Sequence, residues 1–338
     1  MTDQENDLDT LLLIRYSLNL ALHFKLEFRE PISINMQRLH GLSYLNLPIE
    51  VKRSFDRTTI RFFHVTDYDP EEPAEIFFRL NQPTALSSAE KRNAFFGPVR
   101  KQIRELVPIL FENSATAHIL GFSNSRMAYD DLLARFAYML EIRSFAKKVT
   151  ANSIDMMYRR KDAISFETES RLRSTLKRST DVFSAAKEKL GTQSKFPKLN
   201  KATTLSWLAF FTRAESIGET QAFADFFLHF EFVRQGIYEH ADNSSQYKSN
   251  ANEVSVQLLL IYNDRATARV ADVSSVLLRD FILWFNWREY SGQELFGSFE
   301  NASSRLGHLS TLLQNLPINF VEDEILNFIQ TYGWGSEI

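Results

Sequence analysis

Apolar residues recur along most of this chain at three- and four-residue intervals, which is the spacing of one face of an α-helix. Stripes or apolar runs of this kind occupy residues 8–28, 47–55, 94–106, 127–140, 152–190, 205–211, 222–236, 254–262, 273–287 and 321–332. Helix breakers are scarce, with 11 Gly and 9 Pro in 338 residues. The pattern predicts a mainly α protein.

One segment has a different pattern. Residues 58–66 read TTIRFFHVT, and β-branched and aromatic residues of this kind favour a strand. We therefore expect a small mixed α/β region over residues 1–110, a large helical domain over 111–290 and a helical C-terminal tail over 291–338. Within the helical domain, the polar stretch 191–201 is the expected internal linker.

The clearest boundary between two helices lies at residues 76–106. An apolar run ends shortly before Pro83, where a helix cannot easily continue. Ser87 precedes Glu90 by three residues, the spacing of a capping box, so a new helix is predicted to begin there. Pro98 is expected to bend this helix or to divide it. Further along the chain, Ser123 or Ser125 is the expected cap of the helix at 127–140.

The same segment resembles a known family. It reads Phe77-x-Arg79-Leu80-Asn81, then Leu86, then Glu90-x-Arg92-Asn93-Ala94. This is similar to the F-x-R-L-N … L-x-x-x-E-x-R-N-A signature of the GmrSD-type, ParB/sulfiredoxin-like domain of modification-dependent restriction and phage-defence proteins. A weaker resemblance extends to residues 274–280 and covers about three quarters of the chain. It implies that residues 1–110 are a truncated ParB-like region.

The chain departs from this family at one important motif. The family carries an upstream Asp-Gly-Gln-Gln-Arg string, its nucleotide-handling site, and no such string occurs here. The resemblance therefore implies a chain that begins after the motif. Family members are NTP-dependent endonucleases that use a nucleotide and a divalent metal. For this chain alone we expect no catalysis and no cofactor.

One cluster of polar residues is a candidate site, composed of Arg79, Asn81, Glu90, Arg92 and Asn93. Two arginines and two carboxamides around a helix N-terminus would bind an anion. A capping carboxylate at Glu90 would instead repel phosphate, and the cluster would then be a hydrogen-bonded turn that joins two helices. Both interpretations stay open. A second polar set is interpreted as ion pairs at helix ends, and it consists of Arg265, Asp272, Arg279 and Asp280.

Charge is distributed unevenly along the chain. Residues 143–201 carry fifteen Lys/Arg against six Asp/Glu, whereas residues 202–338 carry eight against seventeen. A basic segment of this kind would follow a phosphate backbone. Alternatively, it docks on the acidic C-terminal segment or forms a solvated helix face. The candidate nucleic-acid-binding residues are Lys147, Lys148, Arg159, Arg160, Lys161, Arg171, Arg173, Lys177 and Arg178.

Composition excludes several kinds of site. The chain has no cysteine, so disulfides, thiolate metal sites and cysteine nucleophiles are absent, as is typical of a reducing cytoplasm. The seven histidines show no metal-site spacing, and no glycine-rich phosphate loop occurs. No run approaches the roughly 20 apolar residues of a membrane span, so no membrane contact is expected. The 29 phenylalanines favour a large aromatic core.

Two functional hypotheses follow from the sequence. In the first, the chain is a defence-related protein that lacks catalysis and binds DNA, or it acts with a partner that supplies the nucleotide site. In the second, it is a non-enzymatic helical scaffold that meets a protein partner or a second copy of itself. DNA binding that depends on salt would separate the two.

Overall fold

The computed structural model describes residues 37–57, 69, 72, 76, 86–191, 196–214, 219–239, 253–295 and 299–338. The chain divides into two compact units, Met1–Asp67 and Tyr68–Ile338. In the first unit, a short 3-10 turn, Tyr44–Asn46, precedes helix α1, Ile49–Asp56. The predicted helix at 47–55 is thus confirmed, with Pro48 at its N-cap.

The described part of the second unit is a succession of helices. They are α2 (Ser88–Ala94), α3 (Pro98–Phe111), α4 (Ser114–Ile119), α5 (Ala128–Glu141), α6 (Ala151–Arg159), α7 (Phe166–Leu190), α8 (Lys201–Arg213), α9 (Thr220–Glu239), α10 (Glu253–Thr267), α11 (Val273–Ser291), α12 (Glu300–Asn315) and α13 (Ile318–Thr331). The β-type pairing between described residues consists of one isolated parallel bridge, which joins Leu120 to Leu199. The mainly α class is confirmed.

Some of the predicted elements lie outside the described residues. These are the helix at 8–28, the strand at 58–66, nearly all of the helix at 74–80 and the loop at 240–252. The predicted domain boundary at 110/111 falls inside α3, and the one at 290/291 falls inside α11.

The helix boundaries around the central segment follow local chemistry. A capping box at Ser87 starts α2, and Pro98 is the first residue of α3, so the expected division of this helix is confirmed. The predicted serine caps of α5 are wrong. Its N-cap residue, Met127, makes no capping bond, and the Asn124 side chain accepts a hydrogen bond from the backbone N–H of Tyr129 at 2.9 Å instead.

The core of the second unit is aromatic, as the phenylalanine content predicts. Helix α7 packs against α3, α8 and α9. At the centre, the Trp207 ring contacts the rings of Phe211 and Phe227 at centroid distances of 5.5 and 5.1 Å. The Phe210 and Trp284 rings extend this cluster to α11, with their centroids 4.4 Å apart. Edge-to-face and offset ring pairs add to the stabilisation that burial alone supplies.

In the stretch 191–201, the described residues 196–201 do not form a linker between domains. Phe196 and Leu199 are buried in the same core as the flanking helices, which contact each other directly. The backbone of Leu199 accepts a hydrogen bond from Gly121 N–H and donates one to the Ile119 carbonyl, both at 2.8 Å. Polar composition suggested a linker, but two apolar side chains and a pair of backbone hydrogen bonds hold this stretch inside the unit.

The C-terminal residues are built into the same unit. The carbonyl of Gly335 accepts hydrogen bonds from the backbone N–H groups of Phe145 and Ala146, at 2.8 and 3.1 Å. Trp334 is buried, and its indole N–H donates to Asp280 at 2.7 Å. These contacts join the connection between α5 and α6 to the turn after α13.

Candidate functional site

The turn before α2 is closed by reciprocal hydrogen bonds. The Ser87 hydroxyl accepts from the Glu90 N–H at 3.2 Å, and the Glu90 carboxylate accepts from the Ser87 N–H at 2.7 Å, which confirms the predicted capping box. Arg126 donates to the same carboxylate at 2.9 Å. The Arg126 guanidinium and the Ser87 N–H lower the pKa of Glu90 to about 2. Glu90 is thus ionised, and its carboxylate is held by the Ser87 N–H and by Arg126.

Arg92 points into the protein. Its side chain is only 2% exposed and pairs with Asp131 of α5 and with Asp155 of α6. Its guanidinium also lies 5.9 Å from the centre of the Tyr158 ring. By donating one N–H to each of two carboxylates, Arg92 joins α2 to α5 and α6. It is not available to an external anion.

The other members of this candidate set contribute less. Asn93 is half-buried, and its Oδ1 atom has no hydrogen-bond partner in the part of the chain that the structure describes. Arg79 and Asn81 lie outside the described residues. Glu90 and Arg92, the two charged members that the structure describes, hold helices together, and no anion site opens between them.

The interpretation of the second polar set as helix-end ion pairs is wrong for its central members. Arg279 and Asp280 are buried in the middle of α11 and do not pair with each other. Asp280 pairs with Arg213 and accepts from Trp334. The spacing of charges along the sequence could not show this, because these partners lie 54 and 67 residues away.

Arg265 agrees with the prediction, since it lies in the last turn of α10 and forms an ion pair at that helix end, whereas Arg279 and Asp272 differ from it. Arg279 donates to the Ser206 hydroxyl at 3.0 Å and to the Val270 carbonyl at 3.1 Å, and burial lowers its pKa to about 10. Arg265 pairs with Glu322 of α13. Asp272 occupies the N-cap position of α11, but its side chain makes no capping hydrogen bond.

A buried ionic group in α9 was missed by the sequence reasoning. Glu231 is fully buried, accepts a hydrogen bond from Trp207 at 2.8 Å and pairs with Arg234. Arg234 also donates to Asn263 of α10 at 2.8 Å. The sequence did contain a signal for this group, namely a Glu and an Arg three residues apart in a phenylalanine-rich helix. Because all of these charged groups have partners inside the core, the group is structural.

Several of the predicted nucleic-acid-binding residues have partners within the protein. Arg160 pairs with Glu141 at 2.7 Å, and Arg173 pairs with Glu169 at 2.7 Å. Arg171 and Arg178 donate to the carbonyls of Ile338 and Ala214. Each of these four arginines therefore uses at least part of its guanidinium group for a hydrogen bond or an ion pair within the protein.

The other predicted residues are exposed. They are Lys147, Lys148, Arg159, Lys161 and Lys177. The four lysines form no hydrogen bond or ion pair with any residue that the structure describes. The guanidinium of Arg159 lies 4.3 Å from the centre of the Phe95 ring.

The contact between the basic and acidic segments is mainly apolar. Helix α7, which carries many of the basic residues, packs on α8 and α9 through buried side chains such as Leu176, Val182 and Phe183. An ion pair between Lys189 and Asp225 joins the two segments. Since the four exposed lysines take no part in this contact, docking on the acidic segment does not account for them.

A cationic cleft lies at the start of α3, where the sequence interpretation placed no site. The cleft has a volume of about 580 Å³ and is lined by Phe96, Gly97, Pro98, Arg100, Lys101, Arg104 and Glu105. Phe96 is 60% exposed, so much of its side chain is accessible from this cleft and from solvent. Arg100 and Arg104 are four residues apart and therefore lie on one face of α3, and this spacing was the signal for the cleft that the sequence offered.

Close backbone packing places this cleft beside the end of α6. A Cβ atom on Gly97 would lie 3.1 Å from the carbonyl oxygen of Tyr158 and 3.9 Å from that of Arg160. Glycine permits this approach because it has no side chain. The backbone at Arg159 and Lys161 is therefore close to the cleft, although neither side chain lines it, and these two exposed residues belong to the predicted basic segment.

The cleft has few counter-charges. Lys101 is 81% exposed and has Glu105 at 3.9 Å, a distance at which a surface pair adds little. Arg100 makes no hydrogen bond or ion pair with the residues that the structure describes, and its Nε atom is buried without a partner. The side chains around the Phe96 ring thus leave a net positive charge facing solvent.

Within the described ranges, no group of three or more His, Asp or Glu side chains is placed to hold a metal ion. Helices long and apolar enough to cross a bilayer are likewise absent from the described residues.

No protein-family model, curated protein or solved structure matches this chain.

Proposed function

We propose that this protein binds the phosphate backbone of nucleic acid through the surface around Phe96. This Phe96 surface consists of Phe96, Arg100, Lys101, Arg104, Arg159 and Lys161. The observation that carries the proposal is the group of cationic side chains around one cleft, which outnumber its two acidic neighbours. Glu105 lies 3.9 Å from Lys101, and Asp130 interacts electrostatically with Arg104. Cations that lack internal partners gain most from neutralising phosphates, because each neutralised phosphate releases condensed counterions.

The resemblance of the segment 77–94 to GmrSD-type proteins supports the same proposal. In this interpretation residues 1–110 descend from a mixed α/β, ParB-like domain. The chain works in the cytoplasm as a defence-related DNA-binding component. It is not a nuclease by itself, and a protein partner supplies the nucleotide site that the missing Asp-Gly-Gln-Gln-Arg motif would form.

The test is the salt dependence of binding to labelled duplex DNA. Affinity is expected to fall steeply with salt, because each neutralised phosphate adds about −0.9 to the slope of log affinity against log salt. Changing Lys101, Arg104 and Lys161 together to Ala should weaken binding to all sequences alike. It should also flatten the slope by about 0.9 for each phosphate that the variant no longer neutralises.

A matched control removes the same number of charges elsewhere. Lys147, Lys148 and Lys177 are also exposed, but they neither line the cleft nor adjoin Arg160, whose carbonyl lies close to Gly97. Their triple Ala variant should retain the wild-type slope. If this control loses as much affinity as the Phe96-surface variant, binding depends on general charge and the proposed surface is wrong. Absence of binding at low salt would refute the function itself.

A helical interaction scaffold is the second candidate. It is favoured by exposed apolar side chains, above all Phe166 at the start of α7, whose residue is 89% exposed, and Phe320 in α13. Exposed rings of this kind serve as anchors in protein–protein contacts. If the chain binds no DNA at low salt, and Phe166→Ala abolishes self-association or capture of a protein partner, the scaffold replaces the proposal above.

A further inference from the structure

The Phe96 surface combines an exposed ring with a cleft, which a site for backbone phosphates alone does not need. Lysine and arginine suffice to neutralise phosphates, and an exposed phenylalanine adds apolar surface that water solvates poorly. The cleft volume of about 580 Å³ lies in the range of roughly 300–1,000 Å³ that is common for small-ligand sites. The ligand should therefore have an apolar part as well as a charged one.

The chemistry of the walls defines that ligand further. The Phe96 ring, Pro98 and the aliphatic stems of Arg100, Lys101 and Arg104 make the walls mostly apolar. Lys101 and Arg104 are exposed, with their charged ends toward solvent as is usual for Lys and Arg, whereas the Nε atom of Arg100 is buried. Apolar walls that carry cationic side chains are complementary to a nucleobase that is attached to a phosphate.

We propose that Phe96 stacks on an unpaired base, so that the site prefers single-stranded to duplex nucleic acid. This inference rests on the function proposed above. In a duplex the faces of the bases are already stacked on each other, and only the backbone can reach the cationic side chains. In a single strand a base is free to leave its neighbours and cover an aromatic ring. Because every base has a π-face, little sequence preference is expected.

The experiment compares three polyanions: a single-stranded DNA oligonucleotide, a duplex of the same length and inorganic polyphosphate, which has charge but no bases. Phe96→Ala is expected to weaken single-strand binding by about 5- to 100-fold, the usual range for loss of one stacked base. Binding to the duplex and to polyphosphate should be unchanged. A fluorescent base analogue in the single strand should be quenched by the wild type and not by Phe96→Ala.

Two further variants serve as controls. Phe96→Trp restores an aromatic face and should restore single-strand binding and quenching, whereas Phe96→Leu keeps an apolar side chain without a π-face and should restore neither. Phe166→Ala removes another highly exposed ring, outside the cleft, and should behave as the wild type. Since Phe96 is 60% exposed, its variants are expected to fold, and equal melting temperatures would verify this.

The possible results separate the two proposals. If single strand and duplex bind equally and Phe96→Ala affects neither, the stacking proposal is overturned, but the phosphate-binding function stands. If Phe96→Leu restores binding as well as Phe96→Trp does, the ring acts only as apolar bulk and stacking is again refuted. If no polyanion binds at low salt, both proposals fail together.

Discussion

At the residue scale, arginine carries the buried positive charge in the described part of this protein. Arg92, Arg234, Arg265 and Arg279 are buried residues, and no lysine is buried among the described residues. The guanidinium of Arg213 is also enclosed, lying 4.5 Å from the centre of the Phe299 ring. A planar guanidinium has five N–H donors and can satisfy several acceptors at once, whereas an ammonium group loses more hydration on burial.

The first prediction concerns Arg92. Changing Arg92 to Met should lower the free energy of unfolding by about 2 to 4 kcal/mol, because the neighbouring carboxylates of Asp131 and Asp155 lose their shared cation. Urea unfolding followed by circular dichroism would measure the loss. Lys101→Met is the control, since its side chain is 81% exposed, and it should change stability little. Equal effects of the two variants would contradict the structural role of Arg92.

At the scale of elements, side-chain caps start many of the helices. Ser87, Asn113, Thr150, Ser165 and Asn200 each accept a hydrogen bond from a backbone N–H in the first turn of the helix that follows. Caps matter most for short helices such as α2 and α4, because helices of this length are unstable by themselves. Each cap satisfies a backbone donor that the helix cannot satisfy internally.

The second prediction uses the low pKa of Glu90. Glu90→Gln keeps a side-chain acceptor for the Ser87 N–H but removes the charge that pairs with Arg126. A carboxyl whose pKa is lowered on folding stabilises the protein above its ordinary pKa, here 4.5, and this stabilisation disappears as the pH falls to about 2. The variant should therefore melt below the wild type at pH 7.

The same reasoning predicts how this difference depends on pH. The gap in melting temperature between wild type and Glu90→Gln should be constant above about pH 6 and should close as the pH falls from 4.5 to about 2. Melting curves in a series of buffers would show this. A gap that does not change with pH would mean that the ionised carboxylate adds nothing beyond the capping bond.

At the scale of the whole molecule, the second unit is closed by contacts between segments that are distant in sequence. The C-terminal turn contacts the connection between α5 and α6 through Gly335, and it contacts α11 through Trp334. A Cβ atom at Gly335 would lie 2.6 Å from a methyl carbon of Leu277, and φ at this residue is +74°. The turn can pack this closely against Leu277 because glycine has no Cβ atom and tolerates a positive φ.

The third prediction tests this closure through Trp334. Trp334→Phe removes the indole N–H that donates a hydrogen bond to Asp280, so the buried carboxylate loses one of its partners. The unfolding free energy should fall by about 1 to 3 kcal/mol more than in a control that loses only ring volume. Trp287→Phe is that control, because Trp287 is also buried and its indole N–H has no hydrogen-bond partner in the described chain. Equal losses in both variants would refute the proposed role of the hydrogen bond.

The helices of this protein could be predicted in good part from the sequence. The start of α2 at Ser87, the break at Pro98 and the stop at Gly191 follow from capping chemistry and from the backbone preferences of proline and glycine. The cap of α5 was missed because Asn124 acts from outside the usual cap position. The polar stretch 191–201 was misread because composition does not reveal which few apolar residues are buried.

The candidate site was predicted less well. Arg159 and Lys161 were among the predicted residues, but Arg100, Lys101 and Arg104 were assigned only to the polar faces of a helix and Phe96 was not singled out. Their proximity depends on the close approach of Gly97 to the carbonyls of Tyr158 and Arg160, about sixty residues later in the chain. Conversely, Arg92 was predicted as a candidate anion ligand because its acidic partners, Asp131 and Asp155, lie far away in sequence.

The sequence by itself determined the helical class, many helix boundaries and the aromatic composition of the core, since these depend on residues within one or two helical turns of each other. Tertiary structure decided which charges are buried and which face solvent. A charged side chain is neutralised by whatever packs against it, and for Arg92, Arg213 and Asp280 those partners come from other helices. The cationic cleft at Phe96 exists for the same reason, because the surrounding cations have few such partners.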